Sequence, residues 1–330
     1  MMCRMIRCLA FACLVTMGST GEVAVAGSIA AWGDDTHGQV SNTPTGTGFM
    51  AIAGGYSHGY ALRGDGSIAA WGSDWAGEVS NTPAGTGFTA IAGGTANGYA
   101  LRADGSIAAW GHDLYGQVSN TPSGTGFTAI AAGEFFAYAL RADGSIAAWG
   151  HDLSGVVSNT PNGTGFTAIA AGVDHGYALR ADGSIAAWGW DGDGQVSNTP
   201  TDTGFTAIAS GTSHGYALRA DGSIAAWGWD LLGQVSNTPT GTGFTAIAGG
   251  GDAIGCALRA DGSIAAWGDY YGPAQIVPGG TGFTAIAVGF SNVYALRAGQ
   301  PPAVPEPSTV VLTGLGAIAV VWRHYRRRTA

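Results

Sequence analysis

From residue 27 to residue 298 the apolar positions come in short runs of three recurring kinds, "FTAIAAG", "YALRA" and "SIAAWG". Stretches of Gly, Asn, Asp, Ser, Thr and Pro separate them. The order of the runs is fixed and their spacing nearly so. The Trp of "WG" stands at Trp32, Trp71, Trp110, Trp149, Trp188, Trp227 and Trp267, a step of 39 residues five times and then of 40. The Phe of "GF(T/M)AIA" recurs at Phe49, Phe88, Phe127, Phe166, Phe205, Phe244 and Phe283. "ALR" ends at Arg63, Arg102, Arg141, Arg180, Arg219, Arg259 and Arg297. Seven complete units therefore fill one repeat domain, residues 27–298.

The runs are too short for helices and are bounded by turn formers, so each reads as a strand. "ADGS" joins the second run to the third, and its Asp-Gly is a strong hairpin signal. A few Gly-containing residues join the first run to the second. A three-stranded antiparallel meander per unit follows. "AIAA" and "IAAW" are apolar at consecutive positions, so both faces of each small sheet are covered, and the alanines let neighbouring sheets approach closely. Radial stacking of small sheets covers every face, which predicts an all-β, seven-bladed β-propeller with three-stranded blades. A linear solenoid would need atypical capping repeats. Here the ends are complementary: the last copy stops at "YALRAG" without its "SIAAWG", and the first begins with a "SIAAWG" that nothing precedes. The N-terminal strand is expected to complete the last blade and close the ring.

The segments outside the repeats carry signals. Arg4 and Arg7 precede an apolar run from Cys8 to Met17, followed by Ala24-Val25-Ala26, the pattern of a secretory signal peptide over residues 1–26. Three of the four cysteines leave with it, and the remaining Cys256 stands where other copies have Tyr before "ALR". It reads as a buried small apolar substitute rather than a reactive thiol. At the other end a linker, residues 299–309, contains Pro305-Glu306-Pro307; a hydrophobic helix is expected over residues 310–322 and a basic cytoplasmic tail over residues 323–330, with Arg326, Arg327 and Arg328. The arginines resist translocation, so the exported body hangs outside on a short transmembrane helix.

This tail resembles the PEP-CTERM sorting signal. The resemblance implies export through the inner membrane, transient residence there, an exosortase-type processing enzyme as partner, and a final place at the cell envelope or surface. An ordinary C-terminal membrane anchor is the alternative. Cleavage after Ala26 and loss of the arginine tail from surface-released protein are the expected outcomes, checked by intact mass; a released form that keeps Arg326 to Arg328 would contradict them.

"WGHDLYGQV" together with "AGVDHGYALRADGSIAAWG" resembles the repeat of the regulator of chromosome condensation family, whose blades carry a similar WG-x-x-x-x-GQ and G-x-x-H signature. The short period and the "GFTAIAAG" stretch are closer in style to the propeller-type β-lactamase inhibitor proteins. The resemblance supports the fold; propellers host many functions.

Charge narrows those functions. The chain has no lysine, and residues 27–300 hold seven Arg against twenty Asp or Glu, a net charge of about −13. Nucleic acid would be repelled. The seven arginines share one repeat position near the Asp of "ADG", where a structural salt bridge or inter-blade hydrogen bond is expected. Asp35, Asp74, Asp113, Asp152, Asp191 and Asp230 stand three residues after Trp. A calcium role for them is conceivable, but side-chain oxygens at a repeated turn usually satisfy local N–H groups. His58, His175 and His214 occupy the G-x-x-H position, and His37, His112 and His151 follow "WG". None of these has a partner at ligand spacing. No copy inserts a catalytic loop and no cofactor is expected.

Strand parity places the two stretches that vary between copies, the hairpin after "AIA" and the residues after "WG", at one end of the blades. The constant "ADG" and "TPxGTGF" lie at the other. The variable face holds Tyr56, Phe135, Phe136 and Phe290 in the hairpins, and Trp75, Tyr115, Trp190, Trp229, Leu231, Leu232, Tyr270 and Tyr271 after "WG". Exposed aromatics ringed by Asp suit a binding surface, and the arc from Trp190 to Tyr271 is expected to be its densest part. The reading is a non-catalytic binding or scaffold protein for an extracellular protein or polysaccharide. A specific inhibitor of an extracellular enzyme is the alternative, and a metal-dependent enzyme a third.

Overall fold

A computed structural model describes residues 27–251, 254–268 and 277–299 of the chain. They form seven three-stranded antiparallel sheets. Blade 1 holds Phe49–Gly54, His58–Arg63 and Ile68–Gly72, and blade 2 holds Phe88–Gly93, Asn97–Arg102 and Ile107–Gly111. Blade 3 holds Phe127–Ala132, Phe136–Arg141 and Ile146–Gly150, and blade 4 holds Phe166–Ala171, His175–Arg180 and Ile185–Gly189. Blade 5 holds Phe205–Ser210, His214–Arg219 and Ile224–Gly228, and blade 6 holds Phe244–Gly250, Ile254–Arg259 and Ile264–Gly268. Blade 7 takes Phe283–Val288 and Asn292–Arg297 from the end of the domain and Ser28–Gly33 from its start. The expected signal peptide, the expected linker from residue 300 onward, the expected hydrophobic helix and the expected basic tail lie outside the described residues. Among the described residues no helix is long and apolar enough to cross a membrane.

The first strand of each blade contacts the first strand of the next, and Phe283–Val288 contacts Phe49–Gly54, so the ring is closed. The closing strand pairs in full register, from Ser28 opposite Arg297 to Gly33 opposite Asn292. Gly27 also takes over a contact that turns make elsewhere. In blade 1 the N–H of Phe88 donates to Gly66 O, the glycine of the Asp-Gly turn, at 3.1 Å; at the closure the N–H of Phe49 donates to Gly27 O at 3.2 Å. Gly66 needs its lack of a side chain, since its φ is +78° and a Cβ would fall 2.5 Å from the Gly87 nitrogen. A circular permutant that starts at Phe49 and joins Ala298 to Ser28 through Asp-Gly would make blade 7 covalently like the others. It is expected to melt cooperatively within a few degrees of the native chain, because loop-closure terms grow slowly with length; a non-cooperative melt would show that the break matters to the fold.

Every blade carries the same irregularity. Phe88 pairs with Arg102 but Ala90 with Leu101, leaving Thr89 as an extra residue, and the equivalent shift occurs in the other six blades. This bulge puts Phe88 and Ile91, three positions apart, on the same face. They pack with Ala100 and Trp110 of blade 2 against Ala51, Ala53, Tyr60 and Leu62 of blade 1. The remaining core clusters repeat this pattern at the other blade interfaces. The core is thus made of inter-blade contacts, and alanine is the spacer that lets the sheets close on one another.

At six interfaces the preceding Tyr and the following Trp meet on one backbone carbonyl of the loop between them. Tyr60 Oη and Trp110 Nε1 both donate to Glu78 O, at 2.9 and 2.8 Å. Tyr177 and Trp227 do so on Gln195 O, at 2.7 and 3.0 Å, with the rings edge to face at 5.2 Å between centroids. A buried loop carbonyl is satisfied twice, and the aromatic pair gains its preferred geometry. The interface between blades 6 and 7 differs. Cys256 replaces the Tyr, and Val293 fills the position where Gly98 lies 2.7 Å, at the Cβ it lacks, from the Tyr60 hydroxyl. The large-for-small exchange conserves volume. Cys256 is fully buried, and burial pushes its thiol up to about 12, as expected of an inert substitute. Trp32 Nε1 has no hydrogen-bond partner among the described residues.

The arginines correct the expectation from sequence. Each guanidinium lies over the Phe ring that opens its own blade, 4.6 Å from the centroid for Arg297 and up to 5.5 Å for Arg63. Among the described residues the one ion pair is the exposed contact of Arg219 with Asp202 at 3.2 Å. The Asp of each turn is used differently: Asp65 Oδ1 accepts the Ser67 N–H at 2.8 Å. The tight turn aims that carboxylate back at its own backbone, while the bulge brings Phe beneath the arginine.

Candidate binding face

Backbone bonds fix the two ends of the blades. At the upper end the residue after "WG" donates to the hairpin tip of the same blade in the six blades where it is described, as in Ser73 N to Ser57 O at 2.8 Å and Trp190 N to Asp174 O at 2.7 Å. At the lower end the Asp-Gly turns meet the "TGF" segments. The variable stretches therefore share the upper face.

The loops on that face are held by their aspartates. Asp74 Oδ1 accepts the N–H groups of Val79 and Ser80, both at 2.9 Å. Those bonds, Ser80 first, hold its carboxyl below the usual range. Asp35, Asp113, Asp152, Asp191 and Asp230 repeat the arrangement. These oxygens serve their own turns. No group of three His, Cys, Asp or Glu able to hold a metal occurs among the described residues.

His58, His175 and His214 are fully buried at the start of the middle strand, beneath the hairpin glycines. Burial lowers their basicity, to about 4 for His58 and His214 and about 3 for His175. Asn97, Phe136, Ile254 and Asn292 occupy the same position in the other blades. Phe136 is thereby corrected: at 2 % exposure it packs on Tyr138 inside the core, not on the variable face. Its neighbour Phe135 points the other way, as strand alternation requires.

The exposed rings gather over blades 7, 1, 2 and 3. Tyr56 stacks on Phe290 at 4.1 Å between centroids. Trp75 stacks on His112 at 5.6 Å, His112 lies 6.2 Å from Phe135, Phe135 5.3 Å from Tyr115, and Tyr115 stacks on His151 at 4.2 Å. Between them runs a groove of about 640 Å³, lined by His37, Tyr56, Trp75, Glu78, Tyr115 and Phe135 among others. A half-buried carboxylate pair borders this arc, Glu134 beside Phe135 on the blade 3 hairpin and Asp174 on the next; burial raises the basicity of both. The mouth of the central channel is smaller, about 80 Å³, and is lined by hairpin glycines of all the blades.

Trp190, Leu231 and Leu232 are exposed on blades 4 and 5, and Trp229 is half-buried there. Tyr270 and Tyr271 lie outside the described residues. The arc from Trp190 onward, expected to be densest, thus lies partly outside the described residues, and a concave, ring-lined surface forms on the other arc. The sequence reading passed over His112 and His151 as stacking partners, over His37, which lines the groove, and over Leu114, which is exposed beside Tyr115 and also lines the groove. It also passed over Glu78, where "GEV" replaces the "GQV" of other copies. That single letter was the available signal.

This architecture is a seven-bladed propeller of short repeats with a variable upper face. A regulator of chromosome condensation (RCC1) repeat is matched at residues 166–195, and a PEP-CTERM protein-sorting motif at residues 303–328, which contains Pro305, Glu306, Pro307, Arg326, Arg327 and Arg328. The motif marks the chain for export and sorting to the cell envelope or surface. A search of curated proteins finds no match. Solved structures similar in fold include Prp20p from Saccharomyces cerevisiae, described with its binding to Gsp1p and histones, at 16% identity and TM-score 0.67 over 84% of this chain and 92% of that one. Human WBSCR16 is similar at 15% identity and TM-score 0.66, covering 84% and 100%. The ectodomain of the receptor kinase CR4 from Physcomitrella patens is similar at 24% identity and TM-score 0.59, covering 72% and 67%.

Proposed function

We propose that the chain is an exported, non-catalytic binding protein that holds an extracellular partner on its upper face, after handling by an exosortase-type enzyme. The observation that carries this is the groove: the repeat supplies a nearly constant scaffold, and its departures from constancy assemble one ring-lined concavity of about 640 Å³. Trp and Tyr in such a setting are the side chains that dominate binding surfaces. Support also comes from Prp20p, a structural neighbour described as binding proteins. The six repeated loop aspartates of this face are committed to their own turns, which argues against their serving as convergent acids, bases or ligands.

The test is capture from envelope extract by the full-length protein. The Trp75→Ala, Tyr115→Ala variant is expected to lose at least nine-tenths of the captured partner, of the order that loss of one hot spot gives, with its melt still cooperative. The Trp190→Ala, Trp229→Ala variant tests the other arc and is expected to keep most of it. Full capture by the first variant would reject the groove as the binding surface.

A further inference from the structure

We propose that the groove over blades 1 to 3 seats a basic side chain, lysine or arginine, of a protein partner, with the Glu78 carboxylate as its counter-ion. This rests on the reading of the upper face as a binding surface. The repeat itself shows why Glu78 is unusual. At the equivalent position Gln39 uses both ends of its amide: Oε1 accepts the His37 N–H at 2.8 Å, and Nε2 donates to Asp34 Oδ2 at 2.9 Å. Gln117 does likewise, accepting the Tyr115 N–H at 2.8 Å and lying 3.0 Å, at Nε2, from His112 Nδ1. Both of these glutamines are closed on their own loops, whereas Gln195 keeps only the first contact, its Oε1 accepting the Asp193 N–H at 2.9 Å and its Nε2 having no hydrogen-bond partner among the described residues.

Glu78 keeps the first of these contacts, Oε2 accepting the Ala76 N–H. The second is gone. A carboxylate has no N–H to donate, and the position of Asp34 and His112 is occupied here by Ser73. Oε1 accepts no hydrogen bond among the described residues, yet Glu78 is only 3 % exposed and lines the groove together with Ser73. A carboxylate that lines the groove with one open oxygen is free to accept from a cation or donor that enters it.

The rest of the groove selects the cation. Tyr56, Trp75, Tyr115 and Phe135 surround the site, and ring faces attract ammonium and guanidinium groups. Trp75 is 76 % exposed, with one face on His112 and the other open. Among the described residues no lysine or arginine is free to fill the groove: the sequence has no lysine, and each propeller arginine lies over its own Phe ring at the start of its blade. A volume of about 640 Å³ exceeds a lone ammonium and suits a long side chain with its flanking backbone. The acidic domain adds steering toward a basic partner.

The test uses the full-length protein, tryptophan fluorescence, and four probes: the N-acetyl methylamides of lysine, arginine and norleucine, and glucosamine. Lysine or arginine is expected to bind with a Kd of about 1 to 10 mM, and uncharged norleucine at least tenfold more weakly. Glu78→Gln is expected to weaken the charged probes at least tenfold. That variant restores the residue found at positions 39, 117, 195 and 234, so it should fold, and its melt is measured alongside. Equal binding of norleucine, unchanged binding in Glu78→Gln, or tighter binding of glucosamine than of both amino-acid probes would overturn the proposal. Partner capture separates its failure from that of the broader reading. If Trp75→Ala, Tyr115→Ala abolishes capture and Glu78→Gln leaves it whole, the counter-ion role falls and the binding face stands; if neither variant affects capture, both fall.

Discussion

Lowering the pH from 7 to 4 is expected to remove much of the stability of the propeller, and replacing three buried histidines by asparagine is expected to restore most of it. In the unfolded chain each histidine takes up its proton near pH 6.5. In the folded ring burial lowers that point to about 4 for His58 and His214 and about 3 for His175, where the neighbouring His214 opposes the second charge. The unfolded state therefore binds more protons than the folded one throughout this interval. Stability is complete above about pH 6.5, falls as the pH drops through the window, and levels off below the folded values. One pH unit is about 1.4 kcal/mol per group, so the three sites together set a ceiling on the order of 10 kcal/mol.

The turn aspartates add their own loss only at lower pH, since their carboxyls are held below the usual range. Glu134 and Asp174, both raised, work in the opposite direction and are common to every variant. Asparagine already occupies the same buried position at Asn97 and Asn292. Melting temperature against pH is the measurement. The native protein should lose its thermal stability between pH 6.5 and 4, and the His58→Asn, His175→Asn, His214→Asn variant should be nearly flat there. A parallel decline in both would show that the histidines do not control it.

The second large effect lies at the aromatic clamps. Trp227→Ala is expected to cost about 3 to 5 kcal/mol, because it leaves a cavity between two closely spaced sheets and removes one of the two donors on Gln195 O. At roughly 2 °C per kcal/mol for a domain this long, the melting temperature should drop by about 6 to 10 °C. The control comes from the seam. Trp227→Phe removes a satisfied buried donor and should cost about 1 to 2 kcal/mol. Trp32→Phe removes a donor with no partner among the described residues and should cost little or even stabilise. Equal losses from the two Phe substitutions, measured by thermal or denaturant melts, would remove the carbonyl clamp as the explanation.

Period made the fold legible. Seven copies of one strand pattern, complementary ends and a Gly-rich turn at each step leave little choice but a closed ring, and the N-terminal strand pairs where the missing "SIAAWG" required it. Arginine was misread because sequence shows its neighbour in the turn and not its neighbour across the bulge. The same limit applied to the face. Phe135 and Phe136 look alike in sequence, but strand alternation sends one to the groove and the other to the core. Tyr115 meets Phe135 and His151, residues of the next blade, and only the offset between a loop and the following hairpin brings them together. Glu78 was hidden for a different reason: exchange of Gln for Glu appears conservative until the lost donor is counted.

The closing blade has a mechanical meaning. Its outer strand, Ser28–Gly33, has hydrogen-bonded neighbours on one side only, whereas Asn292–Arg297, the strand that leads toward the sorting motif, is bonded on both. An edge strand pulled at its end can peel away one bond after another. A central strand pulled along its axis must shear two ladders together, so tension applied to the chain at Arg297 is carried by many bonds in parallel. The ring thus presents its easily peeled end at Ser28 and its shear-resistant end at Arg297, on the side of the sorting motif.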